Sequence, residues 1–170
     1  MKKLSYIAFY GKTFVSKLIK FWTRSKYSHI AVYTQDEKIA GELIEVWPGS
    51  KKFLKFKMFW DYSFFRRHKK GTKFELWELE VSEEEYDYCM GQYIGYAIKK
   101  IPYDWKAIFG FLFKYKKDSR KGKMCSEGCI TPFVEFRKLT NMNPSHQSPQ
   151  DFIKIIESFG GKNVLTSKVD

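Results

Sequence analysis

Cysteine is sparse in this chain, and its three thiols in 170 residues, an odd number, do not make the disulfide framework of a small secreted domain. Nor does any stretch approach the roughly 18 consecutive apolar residues that a spanning helix needs. The opening MKKLSYIAFYGK imitates a secretion signal, but its apolar run is short, carries two tyrosines and lacks a small-residue cleavage site. These absences set the expectation of reduced thiols and a soluble, cytoplasmic protein. No internal repeat or low-complexity linker interrupts the sequence, which predicts one domain over residues 1–170. Acidic residues are few relative to basic ones, 19 against 31, for a net charge of +12. So basic a balance favours anionic partners such as nucleic acid, a phospholipid surface or an acidic wall polymer, without choosing among them.

Aromatic residues, in contrast, are plentiful at 19%, which suits a sheet-containing globular fold and argues against disorder. LSYIAFY reads as a strand ended by Gly11. In FVSKLIKFW, Phe14, Leu18 and Phe21 fall on one helical face with lysines elsewhere. HIAVYT and ELIEVWPG, separated by the turn-like TQDEK, read as neighbouring antiparallel strands. The basic, aromatic block after them predicts a strand in KFLKFKMF and a loop around RRHKKG. FELWELEV sets Trp77, Leu79 and Val81 off from Glu78 and Glu80, a strand pattern. Ser82 and Glu85 form a capping box for a helix reaching about Lys100, which Pro102 stops. YDWKAIFGFLF predicts a short helix, KYKKDSRKGK an exposed loop, and CSEGCITPFVEFRKL a helix despite Pro132. Ser148 and Pro149 predict the N-cap and first residue of a last helix, ended by Gly160-Gly161. The expected class is α+β, an antiparallel sheet packed against helices.

Cys125 stands where a basic segment meets a helix start. There, unpaired backbone N–H groups, the helix dipole and the nearby Lys121 and Lys123 all favour a thiolate, and the same N–H groups suit an oxyanion. A nucleophile needs a base, and the chain has three histidines. His68 lies in the charge run RRHKK, which reads as a solvated face, and His146 lies in a loop. His29 opens a strand, and the next strand carries Glu45 inside the apolar LIEVW. A buried carboxylate requires a partner, and His29 is the obvious one, with Glu42 the competing acid nearer the turn. Cys125, His29 and Glu45 thus read as nucleophile, base and orienting carboxylate. Cys129, one turn beyond Cys125, raises the rival of a metal site with His29 and His146, but no tight ligand spacing supports it. A disulfide between the two is disfavoured by helix geometry, and Cys89 reads as a buried helix residue. Glu127 reads as a dipole-stabilising acid rather than a site carboxylate.

SHIAVYTQDEKIAGELIEVWPG, IPYDW, MCSEGC and SPQDF, taken in that order, resemble the YiiX-type permuted relatives of the NlpC cysteine peptidases. These belong to the papain-like superfamily and are similar in layout to the lecithin retinol acyltransferase group. The resemblance spans about residues 5–155, and the order His before Cys marks the permutation. It implies a circularly permuted papain-like fold and a cysteine hydrolase, an amidase or peptidase acting through a thioester on peptides of peptidoglycan type, with no cofactor. It carries Cys125 over as nucleophile, His29 as base and later acid, Glu45 as orienting group, and Tyr103 as a site-lining or oxyanion-side hydroxyl. Gly128-Cys129 and the heavy basic block at 51–70 depart from the pattern. The implied partner is an amide- or ester-containing, anionic substrate, with membrane-surface or wall-polymer contact. Two alternatives stand beside this reading: a lipid esterase or acyltransferase with the same triad, and a non-catalytic basic module that binds nucleic acid.

Overall fold

In the first strand, β1 (Lys2–Phe9), the side chains of Leu4, Tyr6 and Ala8 point to one side and those of Ile7 and Phe9 to the other, and all five are buried. A strand apolar on both faces belongs inside a sheet that is covered twice. The computed structural model, which describes residues 1–34, 42–48, 58–104 and 122–170, places β1 there. Five further strands are described: β2 (His29–Tyr33), β3 (Glu42–Pro48), β4 (Met58–Phe64), β5 (Lys73–Val81) and β6 (Lys162–Lys168). Together they form one antiparallel sheet in the order β4-β3-β2-β1-β5-β6.

Four helices are described: α1 (Phe14–Thr23), α2 (Glu83–Ile98), α3 (Cys125–Phe136) and α4 (Pro149–Ser158). The main core joins one sheet face to α2, α3 and α4, combining Leu4, Tyr6, Val32 and Trp60 with Tyr93, Phe133 and Phe152. On the other face Ile7, Phe9, Ala31, Leu43, Phe74 and Val169 form a smaller cluster, against which Phe65 packs. The α+β class and the antiparallel β2–β3 pair are therefore as the sequence predicts. None of the described helices is long and apolar enough to cross a membrane.

The caps also follow the sequence, with one difference. Ser82 Oγ accepts from the Glu85 N–H (3.1 Å), and Ser148 and Asp151 complete a reciprocal box at α4. Glu85 does not return the bond at α2. Its carboxylate instead takes Arg137 in a two-pronged ion pair, 2.6 Å and 3.0 Å, which ties the start of α2 to the end of α3. Of the strand expected in KFLKFKMF, residues 52–57 lie outside the described set; its last two residues open β4, which runs on to Phe64 with Trp60 and Ser63 buried. Also outside the described set are residues 35–38 of TQDEK and nearly all of the expected helix and loop between Tyr103 and Lys123. No sequence signal announces β6: every residue in it is exposed, and it pairs along the outer edge of β5.

Contacts around Trp60 set the position of α3. Its indole Nε1 donates to the Lys123 carbonyl (3.2 Å), and its backbone N–H donates to Ile101 (2.9 Å). Tyr103 N–H donates to the Met58 carbonyl, and Lys123 N–H to the Pro102 carbonyl. Residues 101–103 thus run beside β4, and the lead into α3 runs beside them. Deeper in, Tyr93 donates to the Cys129 carbonyl (2.6 Å), so at its 3.0 Å contact with Tyr6 the Tyr6 hydroxyl is the donor. Gly128 lies so close to Trp60 that a β-carbon there would collide with the indole ring. Gly128 therefore has a packing reason of its own. Gly128→Ala is expected to destabilise the fold by about 1–3 kcal/mol through overpacking, read as a lower urea midpoint with an altered Trp60 emission.

Candidate active site

Strand register brings the first two site residues together. Tyr33 lies opposite Leu43, so the alternating pleat puts His29 and Ala31 on the same face as Glu45. Glu45 is fully buried. His29 Nε2 donates to its Oε2 at 2.6 Å, and Ser63 Oγ on β4 donates to Oε1. A third donor closes the set: His68 Nε2 lies 3.1 Å from each carboxylate oxygen. With Nε2 engaged by Glu45, the Nδ1 side of His29 is left for Cys125, with which the imidazole also hydrogen-bonds.

Cys125 is the first residue of α3 and is 5% exposed. The electrostatics of the three groups interlock. Burial pushes the Cys125 thiol up, but the His29 hydrogen bond, the imidazolium charge and the Ile30 and Ser126 N–H groups together hold it below its ordinary value. Burial pushes His29 down, yet its bonds to Cys125 and Glu45 and their negative charge raise it to about 10. Burial pushes the Glu45 carboxyl up as well, and the bonds from His29 and His68 outweigh that and lower it to about 2. The favoured state is a thiolate beside an imidazolium, backed by a carboxylate.

Tyr103 borders both hollows of the site. One is an apolar recess beside Cys125, also lined by Ile19, Trp22 and Met124. The other is a cleft of about 470 Å³ that reaches His29, Arg67 and His68. Burial, together with the negative charge of Cys125, Asp104 and Glu127, pushes the Tyr103 phenol well above its usual range, so it stays protonated and able to donate. Glu127 accepts from the Met124 N–H (3.1 Å) and caps α3, as its position at the helix start predicts.

His68 is a correction to the sequence reading. RRHKK is not wholly a solvated face: after the short turn Phe65–Arg67, the His68 ring stacks on Phe9 with centroids 3.7 Å apart. Arg66, Arg67, Lys69 and Lys70 stay exposed while His68 turns inward. The available signal was a histidine amid cations next to Phe64-Phe65, on a segment long enough to fold back over β3. His68→Phe keeps the stacking and removes one donor from the buried carboxylate. It is expected to cost about 1–3 kcal/mol, measured by urea unfolding at neutral pH.

The other candidates are not brought into this cluster. Cys129 is fully buried in the main core and its thiol is pushed far up by burial. Cys89 is buried against α3 and its thiol is likewise raised by burial, to about 12. His146 lies in the turn Pro144–His146. Among the described residues no group of three or more His, Cys, Asp or Glu side chains is disposed to hold a metal ion. No family model matches the chain. A search of curated proteins finds no significant match.

Proposed function

We propose that this chain is a thiol hydrolase with the layout of a permuted papain-like enzyme, and that Cys125, His29 and Glu45 act as nucleophile, base and orienting carboxylate. The observation that carries this reading is the His29 imidazole held between a helix-start thiol and a fully buried carboxylate. In the proposed reaction the Cys125 thiolate attacks an amide or ester carbonyl. In this reading the first-turn N–H groups of α3 and the Tyr103 hydroxyl receive the developing oxyanion. The leaving group departs with the proton of the His29 imidazolium, giving a thioester on Cys125. Water then attacks the thioester as neutral His29 takes its proton, which releases the acid and restores the Cys125 thiolate beside the His29 imidazolium. No step calls for a cofactor.

Amides, peptides of peptidoglycan type among them, are the leading substrate class, because the sequence pattern resembles that of the permuted relatives of NlpC cysteine peptidases. Lipid esters form the second reading, favoured by the apolar walls of the recess beside Cys125. Mass spectrometry after an acid quench tests the shared chemistry. Incubation with a p-nitrophenyl acyl ester is expected to leave one acyl group on Cys125 and none on Cys89 or Cys129. Acylation confined to lysines, or equal acylation in His29→Ala, would refute the mechanism.

A further inference from the structure

Helix α1 is strongly amphipathic, yet none of its residues is buried. Phe14 is 74% and Phe21 76% exposed. The two stand seven residues apart, two turns, and so lie in one line along the outer face. Lys17 is exposed beside that line, about 60° around the helix from Phe14, and Arg24, the left-handed C-cap residue just past Thr23, is exposed at the same end as Phe21. Val15 and Trp22 are partly exposed as well. No aspartate or glutamate occurs anywhere from Met1 to Thr34, so nothing acidic on the first two strands or α1 offsets these cations.

Exposed aromatic residues flanked by cations, on a helix too short and too charged to span a bilayer, are what a surface needs to lie in the headgroup region. The surrounding charge fits one kind of bilayer, an anionic one. Self-association is opposed by the same feature, because a symmetric pairing of two α1 faces would set Lys17 and Arg24 against their own copies. The inner side of α1 borders the site: Ile19 and Trp22 line the recess at Cys125, and Val15, Ser16 and Ile19 line the cleft at His29. We infer that the outer face of α1, centred on Phe14, Phe21, Lys17 and Arg24, docks the protein on an anionic lipid surface with the mouth of the site at the membrane plane. This docking does not depend on the thiol chemistry and is tested separately from it.

The test is co-sedimentation with vesicles of phosphatidylcholine, alone or mixed with phosphatidylglycerol, at low and high salt. Binding is expected only with phosphatidylglycerol present and should weaken with salt. F14S/F21S should bind at least about tenfold more weakly, from the loss of buried aromatic surface. K17E/R24E should lose at least as much through charge reversal. All four positions are exposed, and circular dichroism of both variants checks that the fold persists. Cys125→Ala should bind like the parent, so a failed mechanism and a failed docking surface give different results. The inference is overturned by absence of vesicle binding, by equal binding to pure phosphatidylcholine, or by variants that bind like the parent. It is also overturned if sedimentation shows that α1 joins two copies, or if hydrogen exchange shows α1 covered in the lipid-free monomer.

Discussion

Cys125→Ala is expected to lower turnover of an acyl substrate by about 10⁴-fold or more, the usual scale for removing a nucleophile that acts as part of a unit. The fold should survive, because the substitution removes one sulfur at a helix start and leaves the Glu127 cap and the Trp60 contacts in place. Cys129 cannot substitute for it: it is fully buried and its thiol is pushed well up. His29→Ala combined with Cys125→Ala should be hardly worse than Cys125→Ala alone, since the base has nothing to activate without the thiol. Steady-state assays of the two single variants and the double variant check this. Losses that multiply would mean that the residues do not act as one unit.

Glu45→Gln is expected to have the second-largest effect, a fall in acylation rate of about 10²–10⁴-fold. The amide is nearly isosteric but carries no charge to hold His29 as an imidazolium, so the thiolate should form only at higher pH. Stability should change with it. Because the Glu45 carboxyl is depressed from 4.5 to about 2, its contribution is fully present above about 4.5 and is lost as pH falls through about 2. His29 has the opposite sign: raised from 6.5 to about 10, it contributes below about 6.5 and that contribution is lost as pH rises through about 10. Urea midpoints measured against pH should show both limbs in the parent. In Glu45→Gln the acid limb should shrink and the alkaline limb should move down.

Much of this was legible in the sequence where a local rule and the tertiary packing agree. Ser148-Pro149 opens α4 because the hydroxyl, the missing N–H of proline and the Asp151 carboxylate all suit a helix start. Glu45 could be paired with His29 because an acid within LIEVW is costly without a partner and the adjacent strand supplied one. His68 was hidden because the hint in the neighbouring Phe64-Phe65 does not by itself reveal the fold-back that stacks it on Phe9. Gly128 looked like a departure until the Trp60 ring appeared against it, a contact between residues far apart in the chain. The exposure of Phe14 and Phe21 was equally unreadable, since a helical apolar stripe looks the same whether it faces a core or a membrane.

The most direct test is the rate of Cys125 alkylation by iodoacetamide as a function of pH, in the parent and in His29→Ala, with peptide mapping to separate Cys89 and Cys129. The parent Cys125 should react well below the ordinary thiol value of about 8.5, and His29→Ala should shift its profile above that value, since burial then acts without the imidazolium to oppose it. A Cys125 that titrates as an ordinary or buried thiol in both proteins would contradict the ion pair, and with it the proposed hydrolase.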